Sequence, residues 1–217
     1  MTINFEDAKN VIIAAGNRLD QMGLAPATAG NYSQKLNDDS IAVTVSGKHK
    51  GRLGRGDIMR VDLDAKPLED QRPSAETLLH TSLYKLLPNV NAILHTHSIA
   101  STVLSMKKNG HITLKGYELL KAFSGIDTHE VSVTVPVFDN TQDMNVLAPH
   151  VEDYLKAHPH TPAYIIRGHG IYGWGRDMAE AERVIEALEF LLACELEVLK
   201  LGRAGLKADT LKGGISS

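Results

Sequence analysis

The sequence predicts an α/β fold in which a central, mostly antiparallel sheet is covered by helices. Segments with helical and with strand character alternate irregularly along the 217 residues. One β-hairpin is clear at Asn37-Asp38-Asp39, and the chain has few of the evenly spaced helical crossovers that a purely parallel sheet requires. A hydrophobic fraction of 43% and a charged fraction of 23% are ordinary for a globular protein of one domain.

The first third of the chain predicts one helix and three strands. Apolar residues recur every three or four positions over 5–22, with Asn4 as the N-cap, Glu6 and Asp7 in the first turn and Gly23 at the end. Short β-like runs follow at 33–36, 41–46 and 58–63.

The middle of the chain predicts helices with recognisable boundaries. A second helix is expected to begin at Ser74, which follows Pro73 and acts as the N-cap, and to end before Pro88. Ser98 can cap a third helix. The remaining predicted elements here are a strand over 92–95, the third helix over 99–106, a short helix over 117–123 and a strand over 131–135.

The last third of the chain ends in a long helix and a tail. A helix near 142–157, a strand over 163–167 and a glycine-punctuated segment over 168–175 precede it. The long helix, from about 177 to 201, has one apolar stripe that belongs to the core or to a subunit interface. Residues 202–217 contain four glycines and no periodicity, so we expect residues 1–201 to form the domain and 202–217 a mobile tail.

Charge and composition exclude several classes of protein. The formal net charge is −3, and no cluster of basic residues is interleaved with aromatic ones, so nucleic acid is not an expected partner. No apolar run approaches the roughly 20 residues that span a membrane, and the N-terminus is acidic where a secretory signal needs positive charge. A cytoplasmic protein is therefore predicted. Cys194 is the only cysteine and is expected to be a buried helix residue.

Three histidines are candidate metal ligands. His95 and His97 are two residues apart at the end of an apolar run, so both leave the same face if the strand persists. His169 lies between two glycines, which let its imidazole project freely. Three histidines with a position left open for water or substrate are typical of catalytic zinc. The chain has ten histidines, and His158-Pro159-His160 repeats the spacing, so incidental histidines remain an alternative.

Three loops offer groups that bind a small phosphate. Backbone N–H groups and short hydroxyls next to glycine suit a phosphate monoester, and a nearby lysine adds charge. Each loop alone could be a turn or a helix cap, and none has the spacing of a nucleotide-binding motif. The candidate phosphate ligands are Thr28, Gly30, Asn31, Ser46, Gly47, Lys48 and Ser74.

Two carboxylates are candidate proton donors or acceptors. Glu76 lies in the first turn of the predicted second helix, where a negative charge is favourable for structural reasons alone. Glu118, in Gly116-Tyr117-Glu118-Leu119, could equally be a solvated surface acid. The residue pattern by itself does not choose between these readings.

Five short motifs resemble, in this order, the class II aldolase/adducin family. They are Asn31-Tyr32-Ser33, Ser46-Gly47-Lys48, Pro73-Ser74-Ala75-Glu76, His95-Thr96-His97-Ser98 and Gly168-His169-Gly170, and the resemblance covers nearly the whole chain. It implies the class II aldolase/adducin fold, an oligomer that is commonly a tetramer, and one Zn²⁺ per subunit on the three histidines. It also implies a sugar-phosphate substrate bound at the three loops.

The resemblance further implies roles for the two carboxylates. In aldolases of the family the position of Glu76 is the catalytic acid/base, and in its dehydratases the position of Glu118 transfers the proton. The segments "GYELLKAF" and "IIRGHGIYGWGRD" are most similar to the dehydratases. A zinc-dependent dehydratase is therefore expected. A sugar-phosphate aldolase or 4-epimerase is the first alternative, and a non-catalytic adducin-like scaffold is the second.

Overall fold

The computed structural model describes residues 3–107 and 110–203. Within these residues the helices, named α1 to α5, are Phe5–Gln21, Thr77–Leu86, Ile99–Ser105, Met144–Ala157 and Met178–Arg203. The strands, named β1 to β8, are Asn31–Lys35, Ile41–Thr44, Ile58–Val61, Ala92–Thr96, His111–Lys115, Ser132–Phe138, Ala163–Ile166 and Gly170–Gly175. Short 3₁₀ helices cover Lys50–Arg52, Arg55–Asp57 and Glu118–Ala122.

The strands form one mixed sheet in the order β3-β2-β1-β4-β8-β7-β6-β5. Every neighbouring pair is antiparallel except β6 and β7, which are parallel. The predicted fold class, a mostly antiparallel sheet covered by helices, is confirmed. No helix in 3–107 or 110–203 is long and apolar enough to span a bilayer.

Helices cover both faces of the sheet. Residues of α1, α3 and α5 pack with one face in a first apolar cluster, and residues of α2 and α4 pack with the other face in a second. The predicted stripe of the long helix is part of the first cluster, since Ile185, Leu188, Leu191 and Leu192 are fully buried. The sheet is therefore the middle layer of three.

One end of the sheet collects most of the predicted site residues. Because all neighbouring strands except β6 and β7 run in opposite directions, the C-terminal ends of β2, β4, β6 and β7 meet the N-terminal ends of β1 and β8 there. Loops that are far apart in the sequence are therefore brought together at this edge.

Several element boundaries differ from the prediction. Helix α2 begins at Thr77 and has Glu76 as its N-cap, because residues 74–76 form a turn in which the Ser74 hydroxyl accepts from the Glu76 amide. Strand β5 was not predicted, and the glycine-punctuated segment forms strand β8. Helix α5 continues to Arg203, and residues 204–217 of the predicted tail lie outside the described residues.

Candidate metal centre and active site

Three imidazoles converge at the site end of the sheet. His95 Nε2 lies 3.0 Å from His97 Nε2 and 3.3 Å from His169 Nε2. One nitrogen from each ring lies within 4.8 Å of the others. The prediction that His95 and His97 share a face and meet His169 is confirmed.

Two strands and a tight turn position these rings. His95 lies in β4 and His97 immediately follows it, while His169 lies in the turn from β7 to β8. This turn approaches β4 so closely that a Cβ on Gly170 would lie 2.1 Å from the carbonyl oxygen of Thr96. Glycine after the third histidine is therefore a packing requirement as well as a turn preference.

The protonation of the rings suits metal binding. His95 Nδ1 lies 2.9 Å from the carbonyl oxygen of Ile171, which can only accept, so Nδ1 carries the proton and Nε2 keeps its lone pair. Burial lowers the pKa of His95 to about 4, and burial and the charge of His95 lower the pKa of His97 to about 3. Both rings are neutral near pH 7, which is the form that binds metal.

The donor geometry fits a divalent metal. Tetrahedral zinc with Zn–N bonds of about 2.0–2.1 Å places neighbouring nitrogens about 3.3 Å apart, close to the two separations between the Nε2 atoms. Within the described residues, the buried Nδ1 of His169 has no hydrogen-bond partner. The cluster is therefore able to hold a divalent metal.

Glu76 lies directly beside the cluster. Its Oε2 is 3.4 Å from His95 Nε2, and its Oε1 is 3.3 Å from His169 Nε2. Burial raises the pKa of this carboxyl, but the two histidines and hydrogen bonds from Asn31 and Tyr172 lower the pKa more strongly, to about 2. The site thus contains an ionised carboxylate directly beside the three imidazoles.

Tyr172 supports both Glu76 and His95. Its hydroxyl donates to Glu76 Oε2 at 2.9 Å, and its ring stacks on the His95 imidazole with centroids 4.2 Å apart. Tyr172 pairs with His95 across β8 and β4 and is fully buried. Sequence reasoning missed it because a tyrosine in a glycine-rich segment carries no distinctive signal.

A buried chain of hydrogen bonds orients Asn31, which in turn holds the Glu76 carboxylate in place. Asn31 Nδ2 donates to Glu76 Oε2 at 2.7 Å, and Asn31 Oδ1 accepts from His80 Nε2. His80 Nδ1 then accepts from Ser33, whose hydroxyl oxygen lies 2.8 Å from the Tyr84 hydroxyl. Because all of these donors point toward Glu76, the Asn31 amide has one favourable orientation. His80, four residues after Glu76 on α2, was also missed.

The predicted phosphate loops surround a cavity of about 280 Å³ beside the histidines. Of the predicted phosphate ligands, those that line it are Thr28, Gly30, Asn31, Ser46, Gly47 and Ser74. Lys48 is not among the lining residues, and its ammonium is paired with Asp57 at 2.9 Å. The cavity wall contains Lys50 instead.

Glu118 is not brought to the cluster within one chain. It follows β5, at the sheet edge three strands from β8, which corresponds to roughly 14 Å at the usual strand spacing. Strand β5 also begins at the site end and runs away from it. The Glu118 side chain is 71% exposed, forms an ion pair with Lys121 and lies 3.5 Å from His129 Nδ1. Its catalytic role stays a prediction.

A buried acid lies behind the strand that contains His95. Thr96, between His95 and His97, points to the opposite face, where its hydroxyl donates to Glu189 Oε1 of α5 at 3.3 Å. Burial raises the pKa of the Glu189 carboxyl to about 7, against the hydrogen bonds from Ser98 and Thr96. The strand that carries two of the histidines is therefore fixed from both faces.

Comparison with known proteins identifies the class. Residues 10–196 match the family described as Class II Aldolase and Adducin N-terminal domain. The chain therefore belongs to the class II aldolase and adducin family.

Curated relatives narrow the comparison within the family. A protein of Marinobacter nauticus named methylthioribulose-1-phosphate dehydratase is 52% identical over 202 residues, covering 92% of this chain and 97% of the relative. A protein of Pseudomonas aeruginosa with the same name is 52% identical over 205 residues, covering 94% of this chain and all of the relative.

Solved structures share the fold at lower identity. YgbL of Klebsiella pneumoniae, a putative aldolase/epimerase/decarboxylase, superposes with a TM-score of 0.77 at 24% identity, covering 92% of each chain. The L-fuculose-1-phosphate aldolase of Thermus thermophilus has a TM-score of 0.73 at 24% identity, covering 92% of this chain and 97% of the other. These likenesses support the fold alone.

Proposed function

We propose that this protein is a zinc-dependent lyase that dehydrates 5-methylthioribulose 1-phosphate to 5-methylthio-2,3-dioxopentyl 1-phosphate, a step of methionine salvage. The observation that carries the proposal is the joint placement of three imidazoles and an ionised Glu76 beside a cavity lined by the predicted phosphate loops. The choice of substrate is based on the names of relatives that are 52% identical over more than nine tenths of the chain. We further propose a cytoplasmic location, as the sequence predicts, and a homotetramer, as the family resemblance implies.

The three histidines and Glu76 have separate roles in the proposed reaction. His95, His97 and His169 would hold a divalent metal, which would supply Lewis-acid stabilisation of the negative charge that develops on the substrate's C2 oxygen. Glu76, positioned by hydrogen bonds from Asn31 and Tyr172, removes the proton from C3. A positioned base of this kind contributes about 10²–10⁴-fold to the rate.

Loss of the C4 hydroxyl needs a proton from a second acid, and we assign that acid to Glu118. Because Glu118 is exposed and beyond the far edge of the sheet in one chain, it can act only from a second subunit. The proposed tetramer and the proposed role of Glu118 therefore depend on one another. The resulting enol tautomerises to the diketone.

A substrate assay tests the reaction. Zinc-loaded protein is given 5-methylthioribulose 1-phosphate, and formation of the diketone is followed by its absorbance. Cleavage of fuculose 1-phosphate without any diketone would instead establish the aldolase alternative. Failure to bind a stoichiometric divalent metal would support the scaffold alternative.

Mixed oligomers test the placement of Glu118. Glu76→Gln and Glu118→Gln should each bind metal and lose turnover. Co-refolding equal amounts of the two inactive variants should restore about a quarter of wild-type activity, the fraction of sites that receive an intact Glu76 and an intact Glu118 from different subunits. An inactive mixture would show that both residues act from one chain, and a fully active Glu118→Gln would remove Glu118 from the mechanism.

A further inference from the structure

Lys50 is a buried cation on the wall of the candidate substrate cavity. The residue is 2% exposed and begins the 3₁₀ helix that follows the Ser46-Gly47 loop. It lines the same cavity as Glu76 and His169. Lysine is almost never fully buried without a partner for its charge, so this placement needs an explanation.

Two of its three ammonium protons are already used. Lys50 Nζ donates to the carbonyl oxygen of Thr28 at 2.9 Å and to that of Lys48 at 2.5 Å. These carbonyls belong to the first and second predicted phosphate loops, so the ammonium ties the two loops together. Among residues 3–107 and 110–203, no acceptor is recorded for the third proton.

The charge of Lys50 also lacks a direct anionic partner. No carboxylate of the described residues lies within 4 Å of its Nζ, and the only acid that raises its pKa is Glu76, through a longer-range interaction. Burial lowers the pKa of the Lys50 ammonium to about 8. Lys48, by contrast, is half exposed and paired with Asp57 at 2.9 Å. A buried cation without a counter-ion is costly, and an anionic ligand in the cavity would offset that cost.

We propose that the Lys50 ammonium is the cationic element of the phosphate subsite and donates its third N–H to the phosphate of the bound substrate. The inference deepens the proposed function, on which its choice of substrate rests. The hydroxyls of Ser46 and Ser74 and the amide-rich turn at Gly47 line the same cavity and complete a set of donors around the anion. Lys48, which the sequence favoured, points to Asp57 outside the cavity.

Binding of inorganic phosphate tests the subsite without relying on turnover. Phosphate is titrated by calorimetry into zinc-loaded wild-type protein and into protein stripped of metal with EDTA, so that binding to the metal is separated from binding to the loops. Lys50→Met should weaken phosphate binding by about ten- to a hundredfold in both forms, as expected for loss of a charged hydrogen bond. Lys85→Met, which removes an exposed lysine paired with Asp64, is the matched control and should bind as the wild type does.

Substrate discrimination supplies a second readout. With 5-methylthioribulose 1-phosphate, Lys50→Met should lose kcat/KM by a larger factor than with dephosphorylated 5-methylthioribulose, because only the first compound has a phosphate for the ammonium to bind. If the wild type turns over neither compound, the proposed function fails, but the phosphate titration still decides the role of Lys50.

Three results would overturn the proposal. The first is the absence of phosphate binding to wild-type protein, and the second is wild-type phosphate affinity in folded Lys50→Met. The third is a loss of phosphate affinity in a parallel variant, Lys48→Met, that Lys50→Met does not show. Should Lys50→Met fail to fold, ¹⁵N NMR of the lysine ammonium groups in wild-type protein replaces it. The Lys50 resonance should shift on addition of phosphate, and an unchanged resonance at saturation would refute the assignment.

Discussion

Replacement of Glu189 by glutamine should stabilise the protein relative to the wild type, and this stabilisation should be larger at alkaline pH than at acidic pH. Glu189 is only 7% exposed, and burial raises the pKa of its carboxyl from 4.5 to about 7. In the unfolded chain this carboxyl ionises above about pH 4.5, whereas in the folded chain it stays protonated up to about pH 7. The wild type therefore loses stability as the pH rises through this window, and the full loss is present above it.

The size of the effect follows from the pKa of Glu189. A rise from 4.5 to about 7 corresponds to about 3 kcal/mol, and about 2–3 kcal/mol of this develops between pH 5 and pH 8. Glutamine has the same shape and can accept from Thr96, but it does not ionise. Any fixed difference in packing between the two side chains cancels when their stability gap at one pH is compared with the gap at the other.

Urea unfolding of both proteins at pH 5 and pH 8, with metal removed from all samples, measures this change. Glu189→Gln should gain about 2–3 kcal/mol on the wild type between the two pH values, or about 5–10 °C in melting temperature for a chain of this length. A gap that stays constant within about 0.5 kcal/mol would show that the buried carboxyl does not titrate in this range.

The remaining predictions concern the metal centre. His169→Ala should abolish stoichiometric binding of divalent metal, measured by elemental analysis. It should also remove the stabilisation that saturating zinc gives the wild type, which is about 4 kcal/mol at a metal concentration 1,000 times Kd; retention of one tightly bound metal would contradict the ligand assignment. Glu76→Gln should keep its metal and lose about 10²–10⁴-fold in kcat, and near-normal turnover would exclude Glu76 as the base. His80→Leu removes the donor to Asn31 and should lower kcat about tenfold with metal content unchanged, since a buried hydrogen bond is worth about 1 kcal/mol. His80→Gln, which can still donate to Asn31, should recover part of that loss, and equal kcat values for the two variants would show a purely structural role.

The elements that the sequence predicted well are those with a local signal. Helices α1, α3 and α5 have caps or long apolar stripes, and the structure reproduces them within a few residues, with Asn4 and Ser98 as N-caps. The same-face placement of His95 and His97 follows from the period of a strand, and it is confirmed.

Strand β8 could not be predicted because its sequence favours a loop. Glycine weakens isolated strands, yet here α5 packs directly onto the strand, and a Cβ on Gly175 would lie 2.4 Å from the backbone nitrogen of Ala181. The need for small residues comes from a helix that follows in the sequence, and no local pattern reveals it. Strand β5 was missed for the opposite reason, because only Leu114 of its five residues is buried and its apolar pattern is weak.

The positions of the polar side chains in the site depend on tertiary contacts that the spacing of residues in the sequence does not reveal. Lys48 and Lys50 are two residues apart, and only the 3₁₀ turn between the loop and β3 decides which of them faces the cavity. Ser74 was expected to cap α2, but the helix starts at Thr77 and the preceding turn directs Glu76 toward the histidines. The support of Glu76 by Tyr172 and His80 joins three separate elements of the fold.

The alternating strand directions also make the two ends of the sheet unequal for protein engineering. The turns at 37–39, 88–91 and 158–162 all lie at the end opposite the histidines, and none contributes a side chain to the candidate metal centre. Such turns are the preferred places for inserted tags, new chain termini or fluorescent labels. A circularly permuted chain with its new termini at 158–162 would keep His95, His97 and His169 on uninterrupted strands and turns. This end of the fold therefore accepts engineered changes far from the candidate metal centre.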